Sequence, residues 1–295
     1  MDRIELKALA KINLGLDVLG RRENGYHDVR MVMQSIYLYD EVKIGRMNQE
    51  GIRVETNLGF LPTGEGNIAY KAAQLLRDEF QISDGIRITL NKHIPVAAGL
   101  AGGSSNAAAV LFGMNRMFRL GLSTQELMER GVKLGADVPY CIMRGTVLAE
   151  GIGEELKVLP QMPKCTVLIA KPSVSVSTKV VYEALDAKKI TEHPDIDGII
   201  AGLNAGSLKQ VAESMGNVLE DVTIPMHPVI SEIKQVMKDA GALNAMMSGS
   251  GPTVFGLFEN RADARTAQRI IREKALTRQV YVTSIHNVRR NQDVH

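Results

Sequence analysis

A glycine-rich segment between a strand pattern and a helix pattern constrains the fold of this chain more than any other feature. Ile86, Ile88 and Leu90 alternate with polar residues and predict a strand, and an alanine-rich run from about 105 to 118 predicts a helix. The segment between them reads Pro95-Val-Ala-Ala-Gly99-Leu-Ala-Gly102-Gly103-Ser104-Ser105. Glycines let a backbone adopt positive φ and approach a ligand closely, and the amides at a helix N-terminus bind anions. The segment therefore predicts a phosphate-binding loop.

This loop differs from the best-known phosphate loops. It has no lysine before Ser104, so it is not a G-x-x-x-x-G-K-[ST] motif. It also has no G-x-G-x-x-G, so neither the dinucleotide fingerprint nor the protein-kinase loop fits. The alternative interpretation is a turn of small residues that lets a helix and a strand pack closely. The density of glycine, alanine and serine from Gly99 onward favours phosphate binding.

Length and patterning predict two domains. A chain of 295 residues with 45% hydrophobic content can bury a core of that size. The stretch 156–164 contains two prolines and has neither helical nor strand periodicity, so we place the boundary there. The predicted domains are residues 1–158, which carry the loop, and residues 159–295, on the substrate side. Strands and helices alternate without a run of βα repeats, which favours an α+β fold over a doubly wound sheet.

Composition excludes several classes of function. The formal net charge is +2, so there is no global electrostatic case for binding nucleic acid or an anionic membrane. Cys141 and Cys165 have neither metal-ligand spacing nor a disulfide framework, and Cys141 lies in an apolar run that predicts burial. No signal-peptide pattern or membrane-spanning stretch is found, so we expect a cytoplasmic protein. The sequence leaves monomer and homodimer open.

Three further segments carry candidate functional residues. Lys11 lies in an apolar strand pattern, where an unpaired charge is costly, and Asn13 shares its face of the strand. Asp137 precedes Val138-Pro139, which is also the position of a helix N-cap. Tyr26 and His27 follow the Asn24-Gly25 turn signal and could equally pack under a hairpin. The C-terminal Ser248-Gly-Ser-Gly251 predicts a tight turn, or a cup of amides for an anion.

Together these segments resemble the family of small-molecule kinases that includes galactokinase, homoserine kinase, mevalonate kinase and phosphomevalonate kinase. That family has a Pro-x-x-x-Gly-Leu-x-x-Ser-Ser-type ATP loop, to which Pro95–Ser105 is similar. It also has a Gly/Ser-rich turn between strands, which Met247-Ser-Gly-Ser-Gly-Pro-Thr-Val-Phe255 resembles. The segments Ala10–Leu14, Asn24–His27 and Gly135–Pro139 are similar to those members whose substrate is a cytidine diphosphate-linked methylerythritol.

The resemblance implies a fold and an activity. The expected fold is α+β, with an N-terminal ribosomal-protein-S5-like domain, a C-terminal ferredoxin-like domain and an active site in the cleft between them. The expected reaction is ATP-dependent phosphorylation of the substrate's 2-hydroxyl, with Mg²⁺, in the non-mevalonate (methylerythritol phosphate) route to isopentenyl diphosphate. Two alternatives are a homoserine or mevalonate kinase, which would need no base-reading residues, and a non-catalytic sensor on the same fold.

The resemblance also assigns roles to individual residues. Asp137 is implied as the catalytic base and Lys11 as its cationic partner. The substrate side is implied to comprise Asn13, Tyr26, His27 and Tyr182, although Tyr182 could equally be an ordinary core residue of a helix. Ser105 is a candidate Mg²⁺ ligand. The ATP loop is implied to comprise Pro95, Val96, Ala97, Ala98, Gly99, Leu100, Ala101, Gly102, Gly103, Ser104 and Ser105.

Overall fold

The computed structural model describes residues 2–23, 25–185, 190 and 192–288. Asn24 of the predicted turn lies outside the described residues. The strands within them are β1 (Arg3–Arg21), β2 (His27–Met47), β3 (Ile52–Thr56), β4 (Gly85–Asn91), β5 (Thr146–Glu150), β6 (Glu155–Val158), β7 (Thr166–Lys171), β8 (Gly216–Asn217), β9 (Asn244–Met247), β10 (Val254–Phe258) and β11 (Gln279–Ser284). The helices within them are α1 (Ile68–Glu79), α2 (Gly102–Phe118), α3 (Thr124–Val132), α4 (Val138–Met143), α5 (Thr178–Ala184), α6 (Ile196–Asn204), α7 (Leu208–Ser214), α8 (Glu220–Met226), α9 (Val229–Asp239) and α10 (Arg261–Glu273).

The chain divides into two compact units that are not simple halves of the sequence. The first unit consists of Met1–Ala10, Leu38–Val96 and Ala101–Met143. The second consists of Lys11–Tyr37, Ala97–Leu100 and Arg144–His295. The long strands β1 and β2 therefore contribute residues to both units. The predicted domain boundary after residue 158 stays a prediction.

The first unit combines a sheet with capped helices. β4 pairs antiparallel with β2, from Glu41 opposite Asn91 to Met47 opposite Gly85, and β3 pairs parallel with β4. Asn67 caps α1 through its side chain, and Ser123 forms a capping box with Glu126 at the start of α3. The predicted loop-following helix is α2, and it begins at Gly102, three residues earlier than expected.

The second unit contains a four-stranded antiparallel sheet with strand order β11-β7-β10-β9. Along the chain, β7 is followed by helices, then the β9–β10 hairpin, then α10 and β11. This strand–helix–strand–strand–helix–strand arrangement is the ferredoxin-like motif. Phe255 and Phe258 on β10 are fully buried and anchor its core. The predicted C-terminal fold is therefore confirmed.

One further prediction concerns the burial of a cysteine. Cys141 is buried in α4, as its apolar surroundings indicate. Among the described residues, no helix is both long enough and apolar enough to cross a bilayer.

Candidate active site

The glycine-rich loop turns sharply because three of its residues adopt left-handed backbone conformations. Ala97, Gly99 and Ala101 have φ of 50°, 70° and 55°. For an alanine this conformation is uncommon and mildly strained, and such strain concentrates at functional sites. The sequence predicts positive φ at the glycine but gives no sign of it at the two alanines.

The N-terminus of α2 has the features of an anion site. Its first turn begins at Gly102, and within the described residues no side chain caps it, because the N-cap residue is Ala101. The first amides of a helix have no intrahelical acceptor, and they carry the positive end of the helix dipole. Gly103 is exposed, and a Cβ built there would meet no atom closer than 3.5 Å. The predicted phosphate loop therefore presents an accessible, uncapped helix N-terminus.

Gly99 is held against the C-terminal Gly/Ser turn. The Ser248 hydroxyl donates to the Gly99 carbonyl at 3.0 Å, and a Cβ at Gly99 would lie only 2.1 Å from the Ser248 carbonyl oxygen. The turn itself closes through a hydrogen bond from the Gly251 amide to the Ser248 carbonyl. This geometry supports the tight-turn interpretation of Ser248–Gly251, and it adds a role that sequence reasoning missed: the turn fixes the loop.

Lys11 and Asn13 lie beside the same loop. The Lys11 amide donates to the Leu100 carbonyl at 3.1 Å, and the Lys11 ammonium donates to the Asn13 side-chain oxygen at 2.6 Å. Both side chains are buried, so Lys11 is not an ordinary exposed lysine of a strand. The Asn13 amide in turn donates to the Met31 sulfur at 3.4 Å. The predicted pair on one strand face is thus brought together next to the loop.

His27 and Tyr182 form an aromatic contact. Their ring centroids are 5.2 Å apart with an interplanar angle of 44°. The helix that carries Tyr182, α5, is linked at its first residue to the Gly/Ser turn, because the Thr178 and Ser250 hydroxyls are 2.9 Å apart. His27 is buried, whereas Tyr26 is 58% exposed. Two of the residues that the resemblance assigns to one ligand are therefore neighbours.

Burial lowers the pKa of His27 below its ordinary value of 6.5, and the positive charge of Arg21 lowers the pKa further. The imidazole is consequently neutral near pH 7, with one nitrogen as a donor and the other as an acceptor. This is the form that can read the edge of a nucleobase.

The lowered pKa of His27 makes stability depend on pH. As the pH falls below 6.5, the unfolded chain takes up a proton at this position before the folded protein does. We therefore expect the free energy of unfolding to fall as the pH falls from about 7 to about 5, and to fall less in His27→Gln. Urea denaturation of both proteins across this range measures the difference. An equal loss in the two proteins would contradict the assignment.

Asp137 directly precedes α4. Its carbonyl accepts the first helical hydrogen bond, from the Cys141 amide at 3.0 Å, so Asp137 occupies the N-cap position that the sequence allows. Its side chain is half-buried. Because Asp137 belongs to the first unit and Lys11 to the second, their pairing across a substrate stays a prediction.

The two serines of the loop differ in their surroundings. Ser105 is buried, and its hydroxyl donates to the Leu9 carbonyl at 2.7 Å. Ser104 is half-exposed in the first turn of α2. Among the described residues there is no cluster of three or more histidine, cysteine or acidic side chains with metal-binding spacing. Ligation of a cation by Ser105 stays a prediction.

Comparison with known proteins defines the class. The family model described as "GHMP kinases N terminal domain" matches residues 67–145, and "GHMP kinases C terminal" matches residues 199–275. The chain belongs to the GHMP kinase family, and it is a small-molecule kinase. Kinases of this family use ATP as a substrate. The match confirms the family predicted from the sequence and the α+β fold class.

Particular relatives share nearly the whole chain. A 4-diphosphocytidyl-2-C-methyl-D-erythritol kinase of Lachnospira eligens is 59% identical over 283 residues, which are 96% of this chain and 98% of the relative. One of Clostridioides difficile is 51% identical over 285 residues, or 96% of each chain. A crystal structure of 4-(cytidine 5'-diphospho)-2C-methyl-D-erythritol kinase matches with a TM-score of 0.82 and 31% identity, covering 97% of this chain and 100% of that one. A homoserine kinase from Cytophaga hutchinsonii shares the fold, with a TM-score of 0.78, 23% identity and coverage of 97% and 95%.

Proposed function

We propose that this kinase transfers the γ-phosphoryl group of ATP to the 2-hydroxyl of 4-diphosphocytidyl-2-C-methyl-D-erythritol. This reaction belongs to the non-mevalonate (methylerythritol phosphate) route to isopentenyl diphosphate. The contact between the rings of His27 and Tyr182 carries the proposal, because it brings together two aromatic side chains that can bind a nucleobase, and homoserine and mevalonate have no such base. The names of the similar kinases support the same substrate.

The loop would bind the nucleotide. Phosphoryl transfer depends mainly on positioning and on stabilising negative charge, and backbone amides at a helix N-terminus do both. The exposed Gly103 and the uncapped start of α2 would leave these amides open to phosphate oxygens. The remaining loop residues, from Pro95 onward, would line the path by which the nucleotide reaches these amides.

Asp137 and Lys11 would act on the acceptor. The substrate's tertiary hydroxyl is a crowded, weak nucleophile, so a carboxylate within hydrogen-bond reach is needed to accept its proton. A buried ammonium would stabilise charge that develops on the oxygen. Lys11 is held by Asn13 and by the loop's Leu100, which supports a role close to the transferred phosphate.

Mg²⁺ is the expected counter-ion of the nucleotide. When bound, Mg²⁺ neutralises phosphate oxygens, and it is usually held by one or two protein ligands together with phosphates and water. The half-exposed hydroxyl of Ser104 has the oxygen chemistry that Mg²⁺ prefers. Ser105, whose hydroxyl donates to the Leu9 carbonyl, is the other candidate ligand, and it is the one that the family resemblance suggests.

Tyr26, His27 and Tyr182 would hold the cytosine. The neutral His27 can hydrogen-bond to the edge of a pyrimidine, and Tyr26, an exposed residue, can stack on its face. Asn13 would line the same region next to Lys11.

We expect Tyr26→Ala to raise the KM for the cytidine substrate by about tenfold or more and to lower kcat less. Stacking acts in both the ground state and the transition state, so its loss weakens binding without slowing the chemical step. Steady-state kinetics at saturating ATP measure both constants. Tyr37→Ala, which removes a half-exposed tyrosine in β2, is the control. An unchanged KM in Tyr26→Ala would exclude stacking at this residue.

Substrate identity is tested by ADP release with three candidate acceptors. The proposal predicts turnover with the cytidine substrate and none with homoserine or mevalonate. Turnover with one of those alcohols alone would end the proposal, and no ADP release with any acceptor would favour a non-catalytic sensor. We include in this proposal a division into residues 1–158 and 159–295 and a cytoplasmic location.

A further inference from the structure

A buried polar cluster joins three elements of the first unit. It consists of Asp40 on β2, Lys92 immediately after β4, and Asn106 on α2, all of them buried. The Lys92 ammonium donates to the Asp40 carboxylate and, at 2.8 Å, to the Asn106 side-chain oxygen. The Asn106 amide donates to the same carboxylate at 2.9 Å. Each member therefore bonds to both of the others.

The cluster is fixed to the backbone on both sides. The other oxygen of Asp40 accepts the amides of His93 and Ile94 at 2.7 and 2.8 Å. The backbone of Lys92 is bracketed by Asn57, whose side chain accepts the Lys92 amide at 2.8 Å and donates to the Lys92 carbonyl at 3.2 Å. The ammonium is consequently held in one position with little freedom.

That position lies directly against the first turn of α2. A Cβ built on Gly102 would be 3.3 Å from the Lys92 nitrogen and 3.1 Å from a methyl carbon of Ile94. An ammonium next to a helix N-terminus is unfavourable by itself, since both are positive. The Asp40 carboxylate offsets that cost, and an anion bound to the helix would add to the compensation.

A buried charged cluster of this kind contributes little net stability to a core. Burying an ion pair has a desolvation cost that can exceed the attraction between the charges, and apolar replacements often stabilise a protein as well or better. A fully hydrogen-bonded network does, however, hold its members in a unique arrangement. The arrangement here ties the start of α2 to two strands.

We propose that Lys92 is a positioning residue of the nucleotide site. The Asp40–Lys92–Asn106 cluster sets the position of the first turn of α2, and thereby the direction of the amides that bind phosphate. This inference rests on the proposed function only in taking α2 as the phosphate-binding helix. Its readout is nucleotide affinity, which does not depend on the identity of the acceptor.

The first test is Lys92→Met, which keeps the length of the side chain and removes its charge and hydrogen bonds. Calorimetry with Mg²⁺ and a non-hydrolysable ATP analogue should show a dissociation constant raised by about tenfold or more. In turnover assays the KM for ATP should rise, whereas kcat at saturating ATP should change little. A merely structural role would instead lower the active fraction and leave the KM for ATP unchanged.

The matched control is Arg130→Met. Arg130 makes a partly buried ion pair with Glu79 in the same unit, which joins α3 to α1 and shares no residue with the Asp40–Lys92–Asn106 cluster. The Arg130→Met variant should lose stability and keep its nucleotide affinity. An unchanged dissociation constant in folded Lys92→Met, or an equal change in the control, would overturn the inference.

A second variant decides the question if Lys92→Met fails to fold. Asn106→Ala leaves the Asp40–Lys92 ion pair intact and removes only its link to α2. We expect a weaker but distinct loss of nucleotide affinity, of about threefold or more. Unaltered affinity in Asn106→Ala would refute the cluster's role even if the protein phosphorylates the proposed substrate. Conversely, loss of affinity in a protein that fails to phosphorylate this substrate would overturn the proposed function alone.

Discussion

Replacing Asp137 with asparagine is expected to lower kcat by about 10²- to 10⁴-fold while nucleotide affinity stays near its original value. Asparagine has the same size as aspartate but cannot accept the proton of the attacking hydroxyl. It is also an equally good helix N-cap, so α4 should keep its start at Val138. The substitution therefore separates the two interpretations of Asp137, which the alanine variant would not.

Asp195→Asn is the matched control for this experiment. The Asp195 side chain caps α6 by accepting the Gly198 amide at 2.8 Å, and no role in the chemistry is proposed for it. The control should keep both its turnover and its midpoint of thermal unfolding. Single-turnover kinetics and analogue binding measure the effect of Asp137→Asn. Turnover within a fewfold of the parent would mean that capping is the whole role of this aspartate.

The elements of the fold could be predicted largely from local patterns. Alternation of apolar residues predicts β4, and the caps Asn67 and Ser123 predict the starts of α1 and α3. These features depend on neighbours in the sequence, so a short window contains all the necessary information. By contrast, the two-residue strand β8 and the short helix α8 were not predicted, because they contain too few residues for a period to emerge.

The site could be predicted only in part. Local patterns indicated the loop and the strand face shared by Lys11 and Asn13, and the family resemblance supplied their roles. The structure places Lys11 and Asn13 next to Leu100 of the loop. The hydrogen bond from Ser248 to Gly99 joins residues 149 positions apart, so no local pattern could reveal it.

Lys92 shows a second limit of prediction from sequence. A lysine that follows a strand usually reaches solvent, and here it is buried because Asp40 and Asn106 supply partners from distant parts of the chain. The one available signal was its place just before the loop, and that signal does not distinguish a buried lysine from an exposed one. Burial of charged groups is decided by tertiary partners rather than by local propensity.

Gly99→Ala should damage the nucleotide site more than any other small change in the loop. The new methyl group would lie 2.1 Å from the Ser248 carbonyl oxygen, and the residue would have to keep a φ of 70°. The atoms that the methyl group would meet belong to the backbone of Ser248 and Gly251, not to a flexible side chain. The loop must therefore move away from the Ser248–Gly251 turn. Because a displacement of about 1 Å can cost about 10²-fold in a positioned site, we expect the dissociation constant for an ATP analogue to rise by about that factor.

Gly206→Ala separates the steric contribution from the backbone contribution. Gly206 also has positive φ, at 64°, but no atom lies within 4 Å of a Cβ built there. This control should lose about 1 kcal/mol of stability and no nucleotide affinity. Calorimetric titration of both variants, with chemical denaturation to confirm that each is folded, gives the comparison. If folded Gly99→Ala binds the analogue as tightly as Gly206→Ala does, then contact with the Ser248–Gly251 turn does not set the geometry of the phosphate loop, and the loop's own backbone must do so.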